Sequence, residues 1–288
     1  MRPRKLATRI FLDGGDPAQT RQVLDVLGFL DGQTTNPTLI AKNPEAAARL
    51  AEGKRFTPEE ILAFYRQVVT EISGLIPDGS VSIEVYADKD TATERMLDEA
   101  KRFFTWIANA HIKFPVTKAG LAAAGAAAAL GLRVNMTLCF TQEQAAAVYA
   151  ATRGAKRGQI FVSPFVGRLD DRGENGMDLI ANIARMFAAS DGHVELLSAS
   201  VRTMEHFLYT LALGADIVTA PSGLLLQWAA DGLPVPGPEY VYQARDLRTI
   251  GYRDISLDKQ LEEYDISSDL TDKGMERFSA DWNALIER

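Results

Sequence analysis

The chain contains 288 residues, of which 47% are hydrophobic and 24% charged, a composition typical of a globular protein with one large core. Its net charge of -7 argues against an extended basic surface for nucleic acid or an anionic membrane, although a local basic pocket for a small anion remains compatible. The single cysteine, Cys139, cannot form an internal disulfide, and with three histidines it gives no zinc-binding spacing, so we expect a reducing cytoplasm and no metal site.

Eight short β-rich runs alternate with helical patterns along the chain. The predicted strands begin at Thr8, Gly28, Ser80, Ala110, Leu132, Gln159, His193 and Asp216. The longer segment between the second and third strands contains two helix starts, at Asn43-Pro44 and Thr57-Pro58. This order predicts an α/β fold, a closed (β/α)8 TIM barrel with an extra helix between strands 2 and 3.

The competing architecture is a doubly wound open sheet, which uses the same alternation of strands and helices. That fold normally carries a glycine-rich phosphate-binding sequence after its first strand. The stretch "LDGGDP" supplies Gly14 and Gly15 without that spacing, so the barrel is favoured. No low-complexity linker divides the chain. We therefore expect residues 1–288 to form a single domain, with 235–288 as a C-terminal helical extension packed on the barrel through the amphipathic "LTDKGMERFSADWNALIER".

The stretch "HIKFPVT" places Lys113 between Ile112 and Phe114 in the fourth predicted strand. Residues two apart on a strand point the same way, so the two apolar side chains can face the helices while Lys113 faces the barrel interior. The same parity predicts other inward-facing polar residues towards the carboxyl ends of their strands, namely Glu84, Asn135, Thr137 and Ser163. In barrels of this kind that end holds the active site.

A lysine among apolar walls is disfavoured as a cation, so its neutral amine becomes available as a nucleophile towards a carbonyl group. The expected chemistry at Lys113 is formation of a Schiff base. The competing interpretation is an ordinary lysine that reaches solvent from the end of its strand or pairs with a carboxylate. His111 and Cys139 are interpreted as structural residues.

Five sequence blocks occur in a fixed order along the chain: "TTNPTLI", "IKFPVTKAGLAA", "VNMTLCFTQEQA", "SPFVGRLDD" and "SASVRT". Together they closely resemble the transaldolase family, including its small fructose-6-phosphate-aldolase-like members, over roughly residues 8 to 230. The resemblance implies a class I aldolase-type barrel that moves a dihydroxyacetone unit between sugar phosphates. It also implies that the reaction uses neither a metal nor an organic cofactor.

The resemblance further implies a catalytic set. Lys113 matches the Schiff-base lysine, and Asp13 matches the acid/base that handles the proton of the hydroxyl whose carbon bond breaks. Glu84 matches the carboxylate that, with Thr137, holds a catalytic water during formation and hydrolysis of the imine. Retro-aldol cleavage needs both an iminium to accept the electron pair and a base for the hydroxyl proton.

A substrate-binding set follows from the same resemblance. Asn36 and Ser163 match residues that hydrogen-bond the dihydroxyacetone portion, and Arg168, Ser200 and Arg202 match the phosphate site. Two guanidinium groups and a hydroxyl suit a phosphate dianion, because arginine offers a planar fork of donors.

Ordinary structural roles remain open for several of these positions. Asp13 and Asn36 stand beside glycine and proline, where such residues stabilise turns. Thr137 is compatible with an ordinary strand residue and Ser200 with a helix cap. The two arginines of the expected phosphate site are also compatible with solvated surface positions.

Three functions are compatible with the sequence: a transaldolase, an aldolase that uses free dihydroxyacetone, and a non-catalytic sugar-phosphate-binding protein. The set of Asp13, Glu84 and Lys113 argues against the last, because binding alone does not require all three. Glu84 and Phe165 resemble transaldolases, whereas the aldolase-like relatives lack the carboxylate and tend to place a tyrosine at the aromatic position. The transaldolase is therefore favoured.

The sequence departs from the family pattern at two places. Gly14 and Gly15 replace the more usual Thr or Ala and are expected to loosen the loop that carries Asp13, while Val201 replaces the usual Phe beside Arg202. Both departures bear on substrate preference rather than on reaction class. Sugar phosphates are the expected partners, and the oligomeric state stays open, a homo-oligomer being one possibility.

Overall fold

The structure is a computed structural model that describes residues 2–287. Eight parallel strands pair in chain order and close into a barrel, which confirms the predicted (β/α)8 fold. The strands are β1 Arg9–Asp13, β2 Gly32–Thr34, β3 Ser80–Glu84, β4 Ala110–Pro115, β5 Val134–Cys139, β6 Ile160–Pro164, β7 Val194–Ser198 and β8 Ile217–Ala220.

The helices follow the strands around the outside of the barrel. Their bounds are α1 Pro17–Leu27, α2 Pro37–Ala41, α3 Pro44–Ala51, α4 Pro58–Leu75, α5 Thr93–Phe104, α6 Lys118–Ala129, α7 Gln142–Ala151, α8 Val166–Asp170, α9 Gly176–Phe187, α10 Met204–Ala212, α11 Ser222–Ala230 and α12 Asp269–Leu285. Within residues 2–287, no helix is long and apolar enough to cross a membrane.

The second strand is shorter than the sequence predicts. Gly28, the expected first strand residue, instead ends α1 in the left-handed conformation with a φ of 73°, and its N–H donates to the carbonyl oxygen of Leu24. The strand begins only at Gly32, where the ring of Phe11 and the carbonyl oxygen of Ser80 leave no room for a Cβ atom. The close packing at Gly32 explains why a small residue opens the strand.

The insertion between β2 and β3 contains both predicted helices. Asn43 caps α3 by accepting from Glu45 N–H, and Thr57 caps α4 in a reciprocal pair of hydrogen bonds with Glu60. The additional short helix α2 begins directly after Asn36 and was not predicted as a separate element. The insertion therefore brings α2 to the edge of the barrel mouth.

Strand parity is confirmed by the contents of the barrel. Towards the amino ends of the strands, His111 stacks on Phe161 at 4.1 Å between ring centroids, and burial lowers the pKa of the imidazole to about 3. Towards the carboxyl ends, polar side chains bond to one another: Ser163 donates to Asn135 at 2.6 Å, and Asn135 donates to Ser82 at 3.1 Å. The interior therefore becomes polar at the end where an active site is expected.

The C-terminal part consists of an irregular segment followed by a helix. Apart from one 3-10 turn at Leu261–Glu263, the chain between α11 and α12 contains no helix or strand. The amphipathic α12 lies across the barrel mouth and is fixed at both ends, because Thr271 Oγ1 donates to Leu138 O at 2.9 Å and Phe56 N donates to Leu285 O at 2.8 Å. Helix α12 contacts α2 and β5, so it covers one side of the mouth.

Candidate active site

A cavity of about 230 Å³ opens at the carboxyl ends of the strands, under α2 and α12. Nine of the ten side chains predicted to act in catalysis or binding line this cavity: Asp13, Asn36, Lys113, Thr137, Ser163, Phe165, Arg168, Ser200 and Arg202. The tenth, Glu84, contacts the cavity only through Lys113. Residues from six strands and their following loops therefore converge at one place.

Lys113 is buried at the bottom of the cavity, with 4% of its surface exposed. Its ammonium nitrogen lies 2.8 Å from Glu84 Oε2 and donates to the carbonyl oxygen of Thr35 at 2.9 Å. Lys113 is therefore not surrounded by apolar groups alone, and it makes the carboxylate pair that was the competing interpretation of this lysine. Strand register explains the pair, since Glu84 on β3 lies directly opposite Lys113 on β4.

Two carboxyl groups lie near this lysine, of which Glu84 is buried and Asp13 is partly buried. Burial raises the pKa of Glu84, and the nearby positive charges of Lys113 and Arg168 oppose that rise. Burial likewise raises the pKa of Asp13, against the hydrogen bond that Thr34 Oγ1 donates to it at 2.8 Å and against the charge of Lys113. Burial thus makes the protonated form of each carboxyl more favourable than it is in water.

The loop that carries Asp13 is firmly held, contrary to the expectation for Gly14 and Gly15. Gln33 Nε2 donates to Gly14 O and Asn43 Nδ2 donates to Gly15 O, both at 2.8 Å. A Cβ atom at Gly15 would lie 2.7 Å from the carbonyl oxygen of Leu39. These glycines let α2 approach the loop closely and do not leave it loose.

The two predicted hydroxyl groups beside Lys113 have different environments. Thr137 Oγ1 is buried and has no hydrogen-bond partner within residues 2–287. Ser163 Oγ donates to Asn135, so its lone pairs remain available to accept from a ligand in the cavity. Both hydroxyl groups therefore offer hydrogen-bonding capacity to a bound molecule.

An ordinary turn or capping role was open for Asn36 and Ser200, and the structure shows one for Asn36 but not for Ser200. Asn36 caps α2, because its Oδ1 accepts from Leu39 N at 2.9 Å, and it lines the cavity as well. Ser200 does not cap the helix that follows, since α10 is capped by Thr203. Ser200 instead has a φ of 56°, a conformation that non-glycine residues adopt rarely.

Arg168 and Arg202 approach the cavity from different surroundings. The Arg168 guanidinium lies between the rings of Phe165 and Phe278, at 5.3 and 5.2 Å from their centroids, and its burial together with the charge of Arg277 lowers its pKa. Arg202 is half-exposed and makes two hydrogen bonds with Asp171, at 2.5 and 2.9 Å. The two guanidinium groups are thus held by rings in one case and by a carboxylate in the other.

Two glycines make room for these arginines. A Cβ atom at Gly167 would lie 2.3 Å from Arg202 Nε, and one at Gly274 would lie 2.8 Å from an Arg168 guanidinium nitrogen. Gly167 belongs to the "SPFVGR" block, whereas Gly274 lies on α12. The close approach of α12 to Arg168 depends on this second glycine.

Several cavity residues were missed by the sequence interpretation. Lys42 at the end of α2 and Arg277 and Phe278 on α12 line the mouth. Lys42 follows the "TTNPTLI" block closely, so its spacing could have suggested it. Arg277 has no comparable signal, because only the packing of α12 over the barrel brings it there. Within residues 2–287, no group of three or more His, Cys, Asp or Glu side chains could hold a metal ion.

The buried lysine and the two carboxyl groups lie at the carboxyl ends of the strands of a closed parallel barrel, which is where enzymes of this fold place their active sites. Residues 10–288 match the family model described as Transaldolase/Fructose-6-phosphate aldolase. The chain therefore belongs to the transaldolase/fructose-6-phosphate aldolase family.

Three relatives called probable transaldolases resemble this chain, two of them over nearly all of its length and one over about three quarters of it. A protein of Brucella ovis called "Probable transaldolase" is 36% identical over 274 residues, which cover 95% of this chain and 96% of the relative. A "Probable transaldolase" of Dehalococcoides mccartyi is 33% identical over 277 residues, covering 96% and 99%. Another of Caulobacter sp. (strain K31) is 38% identical over 215 residues, covering 74% and 85%.

Proposed function

We propose that this protein is a transaldolase that transfers a dihydroxyacetone unit from fructose 6-phosphate or sedoheptulose 7-phosphate to an aldose phosphate, in the cytoplasm and within the pentose phosphate pathway. The observation that carries the proposal is the buried Lys113–Glu84 pair, at 2.8 Å, beside a cavity that also contains Asp13. All 288 residues act as one domain in this proposal, with residues 235–288 as an extension that helps to close the mouth.

The first step is formation of the imine. Glu84 accepts a proton from the Lys113 ammonium group, and the free amine attacks the C2 carbonyl of the ketose to form a C–N bond. A proton of the attacking nitrogen moves to the C2 oxygen, which becomes a hydroxyl, and Glu84 returns its own proton to that hydroxyl. The C–O bond then breaks, one water molecule leaves and the C2–N bond becomes an iminium. The raised pKa of Glu84 supports both transfers, because the carboxyl can hold the proton between them.

The second step is cleavage of the carbon chain. Asp13 accepts the proton of the C4 hydroxyl while the C3–C4 bond breaks. The electron pair of that bond moves into the iminium and gives an enamine. An aldose phosphate leaves. The reverse steps with a second aldose phosphate, to which Asp13 returns the proton, form the new ketose. The position of Asp13 in the cavity and its raised pKa support this role.

The remaining cavity residues bind the substrate. Ser163 and Asn36 hydrogen-bond the dihydroxyacetone hydroxyls, while Arg168, Arg202 and Ser200 receive the phosphate. The arginine positions support an anion site, because the negative charge of a phosphate would offset the repulsion between guanidinium groups on one side of the cavity.

Transfer is favoured over free cleavage by the aromatic residue at the cavity wall. Phe165 is buried, and its ring contacts Phe140 and the Arg168 guanidinium. A phenyl ring provides no proton, so the enamine persists until an acceptor aldehyde arrives. An aldolase would instead protonate the enamine and release dihydroxyacetone.

Covalent trapping tests the proposal. We expect intact-mass spectrometry to detect a dihydroxyacetone adduct after incubation with fructose 6-phosphate and borohydride, and to detect none on Lys113→Ala. Lys118→Ala is the matched control, since Lys118 is exposed at the start of α6. Absence of the adduct, or an equal adduct on Lys113→Ala, would favour a non-catalytic sugar-phosphate-binding protein.

Acceptor dependence separates the two enzymatic functions. With fructose 6-phosphate alone we expect little free dihydroxyacetone, and with added erythrose 4-phosphate we expect rapid turnover to sedoheptulose 7-phosphate. Cleavage without an acceptor at a rate equal to the transfer rate would identify a fructose-6-phosphate aldolase-type enzyme instead.

A further inference from the structure

Glu84 differs from the other nine predicted residues because it does not line the main cavity. It lines two other cavities on the α12 side of the barrel. The inner one has a volume of about 10 Å³, close to the space that a single water molecule requires. The outer one has a volume of about 310 Å³. The carboxyl group therefore lies between the substrate cavity and a second set of spaces.

These three spaces are neighbours and share lining residues. Phe278 lines both the main cavity and the inner cavity, and so separates them by one ring. Pro37, Glu84 and Tyr86 line both the inner cavity and the outer cavity. A series of spaces thus runs from the substrate cavity past Glu84 to the outside of the barrel.

The outer cavity reaches solvent between α5 and α12. Arg95 and Asn283, which both line it, are exposed. Asn283 Nδ2 donates to the Tyr86 hydroxyl at 3.1 Å, and that hydroxyl donates to Asp88 Oδ2 at 3.0 Å. Polar groups therefore occur along the route from Glu84 to the surface, which permits hydrogen bonding to passing water.

The proposed chemistry requires such a route. Imine formation releases one water molecule beside Glu84, and hydrolysis of the product imine consumes one. During both steps the sugar phosphate occupies the main cavity, whose mouth is already narrowed by α2 and α12. Water that moved only through the main cavity would have to pass the bound substrate.

We propose that the outer cavity is a side channel through which water enters and leaves the Glu84–Lys113 pair while substrate fills the main cavity. This inference rests on the proposed Schiff-base function. It assigns Asn283 and Tyr86 to the mouth of the channel and Glu84 to its inner end. Substrate and water thus use separate paths to the same lysine.

Blocking the channel should slow exchange of water without changing the amount of imine at equilibrium. The experiment uses fructose 6-phosphate alone in water labelled with a heavy oxygen isotope, because each cycle of imine formation and hydrolysis replaces the C2 oxygen by one from solvent. Asn283→Trp fills the outer cavity from an exposed helix position. We expect enzyme-catalysed exchange to fall about tenfold, while the fraction of borohydride-trapped imine stays at the wild-type value.

Two controls separate blocking from other effects. Asn283→Ala removes the hydrogen bond to Tyr86 but widens the mouth, and Ala284→Trp adds the same bulk one residue later, where the side chain does not line the outer cavity. Both should exchange oxygen at the wild-type rate. Ser279→Leu, which narrows the inner cavity, provides a second blocking variant and should reproduce the effect of Asn283→Trp.

The outcomes are distinct. A wild-type rate of oxygen exchange in both folded blocking variants would overturn the channel. Equal slowing in Asn283→Ala and Asn283→Trp would also overturn it, because the effect would then come from loss of the hydrogen bond to Tyr86. Absence of trapped imine in the wild type would instead refute the proposed function itself. Thermal unfolding confirms that each variant is folded before exchange is measured.

Discussion

Glu84 Oε2 lies 2.8 Å from the Lys113 ammonium nitrogen, and each side chain is 5% exposed. A buried pair of this kind links stability to catalysis, because removal of one partner leaves the other as an isolated charge. The same contact gives Lys113 a local proton acceptor.

The first prediction concerns this pair. Lys113→Met keeps the side-chain volume but leaves Glu84 without its cation, so the free energy of unfolding should fall by about 3–5 kcal/mol at alkaline pH. The loss should shrink as pH falls, because a protonated Glu84 carries no charge. Urea denaturation across pH measures both effects. The double variant Glu84→Gln/Lys113→Met should recover most of this loss of stability. If the stability losses of the two single variants simply added in the double variant, the two side chains would not be energetically coupled.

A second prediction concerns Asp13, whose pKa is raised by burial above its ordinary value of 3.8. Between that value and its native pKa, the folded state binds more protons than the unfolded state, so this group makes stability decrease as pH rises. Asp13→Asn should therefore raise the free energy of unfolding at neutral pH and remove this pH dependence. It should also lower kcat by roughly 10²–10⁴-fold through loss of the acid/base. An unchanged stability profile would exclude the raised pKa.

The third prediction addresses the phosphate site. Replacing Arg168 or Arg202 by Ala should raise KM for fructose 6-phosphate by on the order of tenfold to several hundredfold, since a charge-assisted contact is worth about 1.5–3 kcal/mol. Arg168→Ala should have the larger effect, because Arg202 already shares its donors with Asp171. Steady-state kinetics with free dihydroxyacetone as donor is the control. If KM rose equally for fructose 6-phosphate and for free dihydroxyacetone, the arginines would have a structural role and would not bind the phosphate.

A fourth prediction follows from the close contact at Gly167. Gly167→Ala would place a methyl group 2.3 Å from Arg202 Nε and 2.7 Å from the carbonyl oxygen of Ser200, so Arg202 must move. The KM for phosphorylated substrates should rise about tenfold or more. Gly223→Ala on α11, where no atom lies within 4 Å of the added Cβ, is the matched control and should leave KM unchanged. An unchanged KM in Gly167→Ala would show that Arg202 does not bind the phosphate.

The fifth prediction tests the choice between transfer and cleavage. Phe165→Tyr places a hydroxyl at the cavity wall, where it can protonate the enamine, and should create acceptor-independent cleavage of fructose 6-phosphate. Release of free dihydroxyacetone measures this activity. Phe140→Tyr is the control, because Phe140 packs edge-to-face on Phe165 but does not line the cavity. If Phe140→Tyr gained the same cleavage activity, the position of the hydroxyl would be irrelevant.

Much of the fold and the location of the candidate site could be predicted because the relevant signals are local. Alternation of strand and helix patterns is visible within windows of a few residues, and strand parity alone orients Lys113, Thr137 and Ser163 inward. Parity was sufficient because the outer faces of these strands are apolar, and it held for Thr137 even though the register of β5 against β6 shifts between Met136 and Cys139. Their convergence in one cavity then follows from closure of the barrel.

The contacts that adjust the site were decided by tertiary packing. Sequence patterns placed Lys113 inside the barrel, but only the register of β3 against β4 set it beside Glu84. Arg277 and Phe278 reach the mouth because Thr271 fixes α12 to Leu138, a residue 133 positions away in the chain. Periodicity defines which face of a helix is apolar, whereas the surface that receives this face depends on the shape of the whole closed barrel.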